Sequence, residues 1–321
     1  MKNDTLYARS TLEKKLSYKE LTYKEIAKGE VRQKQISPTH YRRTIIDYYS
    51  QAGMDYQPWS RNLNMHFGYF KLGVNPCDRE ALLNEMNAQV CQRLDLESIQ
   101  KNTVIDLGCG VGATARYFAK QYSLSSVYGI TIVPWQIEQA ESMTQMADLS
   151  SRIHYQLEDY TQTTYADNTF SGAYAIESSC YDNGLNKARF LKETYRLLKP
   201  GAKLVVADGF RKSNKGNMIF EFAYKHVCKG WSLETFGHID AFVQEMEKIG
   251  FKEVKVEDVS WRIAPSVLHV PWISIKYLFT HLLSKKGNKT FQWLHFVAPM
   301  MGLIVGLHRP HYGYYLVTAR K

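Results

Sequence analysis

Val104-Ile105-Asp106-Leu107-Gly108-Cys109-Gly110-Val111-Gly112 reads as a buried strand that runs directly into a glycine-rich turn. Such a turn lets a ligand lie against bare backbone, and open α/β sheets bind their ligands at the carboxyl ends of parallel strands. Outward from this stretch, short apolar runs alternate with longer amphipathic ones. Strands are predicted at Val104–Leu107, Val127–Ile132, Ile153–Leu157, Phe170–Ile176 and Lys203–Asp208, with helices at 79–95, 112–122, 134–148 and 185–199. That alternation means a parallel sheet with helices on both faces. Pro200-Gly201 stops the helix before the fifth strand. A helix at 238–249 then leads into Phe251–Val259, and Gly313–Ala319 reads as a last strand.

Composition narrows the class. With 321 residues, 45% apolar and 22% charged, the chain suits one large domain or one domain with a substantial lid, and neither disorder nor a fibre. The net charge of +10 favours acidic partners without choosing among nucleic acid, an anionic membrane surface and an anionic small molecule. Cys77, Cys91, Cys109, Cys180 and Cys228 form no CxxC pair and no metal-spaced set, which points to a reducing cytoplasm and to no metal site. The N-terminus lacks the apolar core of a secretion signal, and the longest apolar run, Leu294–Leu307, is too short to span a bilayer.

Flanking segments carry a different texture. Residues 1–40 are Lys-rich with helical spacing of Leu12, Leu16, Tyr23 and Ile26. The stretch from Pro38 to Asn75 is aromatic, and residues 260–311 form an apolar insertion with Trp261, Trp272, Tyr277, Phe279, Phe291, Trp293 and Phe296. An insertion of that length is expected to be functional or to carry its own structure. The expected organisation is a helical and aromatic cap at 1–75, a ligand-binding core at 76–259, a helical lid at 260–311 and a final core strand at 312–321.

The glycine turn, with Asp106 two residues ahead of the first Gly and Ala at 113, resembles motif I of the Rossmann-like S-adenosylmethionine (SAM) methyltransferases rather than a nicotinamide-binding GxGxxG turn. The resemblance implies a seven-stranded, mainly parallel sheet and SAM as cofactor, with methionine and ribose over Gly108, Cys109, Gly110 and Gly112. Leu197-Leu198-Lys199-Pro200-Gly201 is similar to the family's "LLKPGG" segment, with Ala202 in place of its second Gly. Glu158-Asp159 falls where the family commonly sets an acidic side chain on the adenine amine, and Tyr160 and Ile176 extend the set. The second strand departs from the usual acidic ribose ligand. Its Gly129-Ile130-Thr131-Ile132-Val133-Pro134-Trp135-Gln136 resembles the "GITLSPxQ" branch of tocopherol, coclaurine-type and cyclopropane-lipid methyltransferases, which gives Thr131 and Gln136 the ribose and methionine contacts.

Tyr174-Ala175-Ile176-Glu177-Ser178-Ser179-Cys180 is similar to the "AIEATCH" segment of sterol C-24 methyltransferases, and Asn64-Met65-His66-Phe67-Gly68-Tyr69-Phe70 resembles the aromatic segment that closes over SAM in those enzymes. The resemblance implies methyl transfer to an alkene carbon of an isoprenoid, sterol-like or lipid-like molecule. Aromatic faces stabilise the resulting cation and a carboxylate or His removes a proton, which nominates Glu177, His66, Tyr49 and Tyr69 as catalytic. Glu177 is equally readable as a ligand of the SAM amino group. Trp59, Phe67, Tyr181, Phe210 and Trp272 are expected to hold the acceptor, and Arg42, Arg43, His308 and Arg309 are available for an anionic head group. Peripheral membrane contact is a further expectation, motivated by Lys276, Lys285, Lys286 and Lys289. N- or O-methylation of a natural product and SAM binding without catalysis remain open alternatives. No nucleic-acid-binding module is recognisable.

Overall fold

In a computed structural model that describes residues 38–96, 100–279 and 289–321, the strand predicted around the opening motif is β1 (Thr103–Leu107). It pairs in parallel with β2 (Ser126–Thr131) on one side and β4 (Phe170–Ile176) on the other. With β3 (Ile153–Leu157), β5 (Leu198–Arg211), β7 (Lys252–Asp258) and β8 (Tyr312–Arg320), the sheet order is β3-β2-β1-β4-β5-β8-β7, and the two-residue β6 (Gly237–His238) pairs with the end of β5. Only β8 runs antiparallel to its neighbours, between β5 and β7. The fold is the Rossmann-like α/β architecture expected from the sequence. Helices expected within residues 1–37, and Lys285 and Lys286, lie outside the described residues.

Alternate residues of the strands feed two different cores, as a period of two requires. Ile105, Leu107, Ala173, Leu204, Val206 and Val317 pack with α5 (Ala188–Leu197) and α7 (Ile239–Ile249). Val104, Val127, Tyr174, Val205, Ala207 and Leu316 pack with α2 (Arg79–Leu94) and α3 (Ala113–Gln121). Both faces are covered, which is why β1, β4 and β5 read as nearly continuous apolar runs. The helix α4 (Pro134–Met146) opens with Pro134 at its first position, where a missing N–H costs nothing.

Two elements differ from expectation. Strand β5 begins at Leu198, so Lys199-Pro200-Gly201 forms its first residues, with Gly201 at φ +81° and a register shift opposite Phe170 and Gly172. And α6 (Met218–Gly230) occupies a stretch for which the sequence reading gives no element. Asn217 caps it by accepting the Phe220 N–H, and Phe220, Ala223, Tyr224, Val227 and Cys228 form its buried stripe. That stripe meets α10 (Lys289–Leu307), which follows α8 (Ser260–Val267) and α9 (Val270–Tyr277), so the described part of 260–311 is mostly helical. Among the described residues no helix is long and apolar enough to cross a membrane. The aromatic stretch contributes α1 (Pro38–Ala52), and residues 42–321 form one packed unit.

Candidate active site

The turn after β1 is held by its backbone. Gly108 and Cys109 both donate to the Ile130 carbonyl at the end of β2, at 3.0 and 2.9 Å. Gly108, Gly110 and Gly112 all lie at positive φ (+88°, +53° and +74°), where side chains are disfavoured. Two are also fixed by packing, because an added Cβ would stand 2.5 Å from Ser178 Cβ at Gly108 and 2.0 Å from Tyr155 Oη at Gly112. Gly110 is open, its nearest neighbour being the Met65 sulfur at 3.7 Å. The turn therefore presents bare backbone at Gly110, under a flexible thioether, as a cofactor cradle requires.

Around it stand the other expected cofactor contacts. Asp106 is buried and accepts the Tyr174 hydroxyl at 3.0 Å, and burial pushes its carboxyl up to about 7. Thr131 donates to Gln136 Oε1 at 2.6 Å, and the Gln136 amide approaches Met65 Sδ at 3.9 Å. Glu158 accepts from Gln156 and Thr164, Asp159 accepts from Thr161 and pairs with Arg42, and the Tyr160 hydroxyl donates to the Ser178 carbonyl. Both acidic side chains thus also fasten their own loop. Ile176 ends β4 beside the α2/α3 core.

Glu177 follows directly, in the left-handed region at φ +50°, a conformation that costs a residue with a side chain about 1–2 kcal/mol. Its Oε1 accepts the Phe67 N–H at 2.7 Å and the Tyr314 hydroxyl at 2.9 Å, joining β4 to the segment at 64–67 and to β8. Burial is the main cause that raises its carboxyl to about 8.

A cavity opens from this carboxyl. It is lined by Tyr49, Tyr56, Trp59, Phe67, Tyr181, Trp231, Phe236, Tyr312 and Tyr314, together with Met65, His66, Glu177, Asp208, Leu233, Val270, His295 and Pro299. Tyr49 and Tyr181 are hydroxyl to hydroxyl at 3.0 Å, and Tyr181 donates onward to the Trp231 carbonyl. His66 lies within hydrogen-bond distance of partners at both ring nitrogens, Phe67 O at Nδ1 and the side-chain oxygens of Asn64 and Asn87 at Nε2. Burial lowers its pKa. Thr114 of α3 donates to the same Asn87 oxygen, so this network ties the glycine-turn helix to the aromatic segment.

Of the nominated acceptor and catalytic residues, the fold brings Glu177, His66, Tyr49, Trp59, Phe67 and Tyr181 together at the cavity and leaves three outside. Phe210 packs in the core against Phe242 and Tyr315, with ring centroids 5.0 and 6.0 Å apart. Tyr69 is buried in the α2/α3 core with the Arg262 guanidinium over its ring, and Trp272 is 70% exposed on α9. The head-group set does not converge either. Arg42 pairs with Asp159, Arg309 pairs with Asp258, and His308 Nδ1 faces its own helix's Ile304 carbonyl. No Lys or Arg among the described residues lines the cavity.

Sequence reasoning missed Asp208, Tyr312 and Tyr314. Asp208 is buried near the end of β5, where it accepts from Ser179, Cys180 and Gly209, and burial raises its pKa. A carboxylate near the carboxyl end of a parallel strand was the available signal. The tyrosines had none locally, because they arrive on β8. Gly209 admits Tyr312, whose hydroxyl oxygen lies 1.7 Å from where a Cβ would be.

A glycine turn at the carboxyl edge of a parallel sheet, a carboxyl just beyond the end of the neighbouring strand and an apolar cavity beside them form a site suited to a bound cofactor next to a small acceptor. Residues 105–206 match the methyltransferase domain family. The chain is 31% identical to methyltransferase phqN of Penicillium fellutanum over 219 residues, 67% of this chain and 64% of that one. It is 26% identical to 24-methylenesterol C-methyltransferase 2 of Arabidopsis thaliana, over 71% and 62% of the two chains. Ajmaline N-methyltransferase of Rauvolfia serpentina is 24% identical over 87% of this chain and 98% of that one. The chain thus spans just under two thirds of the first two relatives and nearly all of the third. The cyclopropane synthase MmaA2 of Mycobacterium tuberculosis shares the fold, with a TM-score of 0.73 at 14% identity over 89% of this chain and all of that one. The chain carries a SAM-dependent methyltransferase domain, and SAM is its cofactor.

Proposed function

We propose that the protein methylates an apolar small molecule at a centre that turns cationic in the reaction, an alkene carbon of an isoprenoid, sterol-like or other lipid-like acceptor. One observation carries this reading. The cavity combines aromatic walls with two buried carboxyl groups, Glu177 and Asp208, and among the described residues no Lys or Arg lines it. An anionic head group inside the cavity would find no counter-charge there, whereas a positive centre would meet ring faces worth roughly 0.5–2 kcal/mol each.

When bound, SAM supplies a methyl group already activated by its sulfonium. The chain's work is then to align the acceptor and exclude water, which supports a role for Trp59, Phe67 and Tyr181 as walls. Glu177, whose ionised form a cationic centre beside it would favour, is the proposed proton acceptor, oriented by Phe67 and Tyr314. Tyr49 sets the Tyr181 ring through their shared hydrogen bond. His66, engaged at both nitrogens, acts as a positioning residue that holds the aromatic segment against α2 and α3. We take residues 1–75 as a cap, 76–259 and 312–321 as the core, and 260–311 as the lid that lends Val270, His295 and Pro299 to the cavity.

Amine methylation is the second reading, favoured by the near full-length match to ajmaline N-methyltransferase, since the same cavity accepts a product ammonium. The two separate by incubation with methyl-labelled SAM and a panel of sterols, unsaturated lipids, terpenoids, phenols and tertiary amines, with the product position read by mass spectrometry. Label on an alkene carbon is expected. Label on nitrogen or oxygen would overturn the carbon assignment and leave the methyltransferase activity untouched.

A further inference from the structure

The last 63 residues, 259–321, contain eight Lys and Arg and no Asp or Glu, so one fifth of the sequence holds eight of its ten net positive charges. Within this acid-free region, α8 and α9 are joined through Leu268 and His269, both with right-handed helical φ and ψ, as one nearly continuous helical run. Its inner stripe is Ile263, Ser266, Val270, Ser274 and Tyr277, all buried. Its outer stripe should be polar in a helix that simply packs on a domain. Instead Trp261, Leu268, Trp272, Ile275 and Phe279 stand outward at helical spacing, exposed by 75, 75, 70, 45 and 66%. Arg262 and Lys276 are exposed beside them. The preceding acid, Asp258, is already paired with Lys212 and Arg309.

We infer that this face of α8 and α9 docks on the surface of an anionic lipid bilayer. Trp and other large apolar groups flanked by cations, on a helix lying against a domain, are the composition that settles at the headgroup boundary. Charge decides among occupants. The N-terminal 37 residues are themselves net basic and would be repelled, and a second copy would bring the same acid-free surface. A bilayer supplies both apolar depth and negative charge. The inner stripe of the same helical run contributes Val270 to the cavity wall, so the docked face lies one helix diameter, about 10 Å, from the acceptor cavity. The inference does not depend on whether carbon or nitrogen is methylated.

The test is co-sedimentation of the full chain with vesicles of phosphatidylcholine, with and without phosphatidylglycerol, across a salt series. Binding is expected only with phosphatidylglycerol and is expected to weaken with salt as the charges are screened. The double variant Leu268→Ser/Phe279→Ser should bind about tenfold or more weakly, and Lys276→Glu should also weaken binding, both with unchanged SAM affinity as the check of folding. No vesicle binding at low salt, or binding that neither variant weakens, would overturn the inference. So would a wild-type dimer in gel filtration that the double variant dissociates, since the stripe would then be covered by a second copy.

Discussion

At the scale of single residues, the three glycines of the turn make separable contributions. Gly112→Ala combines a left-handed side-chain cost with a collision against Tyr155, whose hydroxyl is bonded to Thr144. A loss of roughly 2–5 kcal/mol follows, read as a large fall in melting temperature. Gly110→Ala meets only the Met65 sulfur, so about 1–2 kcal/mol of backbone cost is expected. Its methyl nevertheless occupies the bare backbone on which the cofactor is expected to lie. Calorimetric titration should show SAM affinity at least about tenfold weaker in Gly110→Ala, and unaltered affinity would mean that the turn does not carry the cofactor. The turn was legible because all its determinants are local. Asp208 and Tyr314 were not, since their meeting with Glu177 depends on sheet order rather than on spacing along the chain.

Elements obey a second kind of constraint, visible where α6 crosses α10. A Cβ added at Gly230 would lie 2.3 Å from Ala298 Cβ and 3.0 Å from the Leu294 carbonyl, so the two helices meet at a point with no spare volume. Gly230→Ala should cost roughly 1–3 kcal/mol by overpacking and disturb the wall that carries His295 and Pro299. Gly302→Ala, whose Cβ would meet Trp231 at an ordinary 3.4 Å, should be neutral or stabilise α10 by up to about 1 kcal/mol. Thermal denaturation of the pair checks both signs. The core strands and their helices were legible from alternation and from Gly and Pro punctuation. Helix α6 was overlooked although its stripe at 220, 223, 224, 227 and 228 is helical, because it lies where the regular strand and helix alternation has ended. The long β5 was shortened in expectation because Pro200-Gly201 signals a stop, and here it shapes an irregular strand start instead.

The whole molecule carries a pH signature. Asp106, Glu177 and Asp208 are buried acids whose folded pKa values are raised, the first two to about 7 and about 8. Between the unfolded carboxylate range and those values the folded state holds protons that the unfolded chain has released. Their contribution is therefore fully present below about pH 4 and is lost as pH rises through 8, a change of several kcal/mol in order of magnitude. Scanning calorimetry of the ligand-free protein at fixed ionic strength should show this component as a melting temperature that falls from about pH 5.5 to 8.5. Glu177→Gln, which keeps the oxygen that accepts from Phe67 and Tyr314, should flatten the slope.

Strand β8 fills the gap between β5 and β7, yet it is the latest of the sheet's strands in chain order. During synthesis the edge of β5 is finished while about a hundred residues remain before its neighbour, a wait of roughly 5–20 seconds at usual elongation rates. Over that interval the nascent chain offers an apolar, unpaired strand edge to any other nascent chain nearby. Yield on expression should consequently respond to slower growth temperature and to holding chaperones more strongly than the stability of the finished protein would suggest.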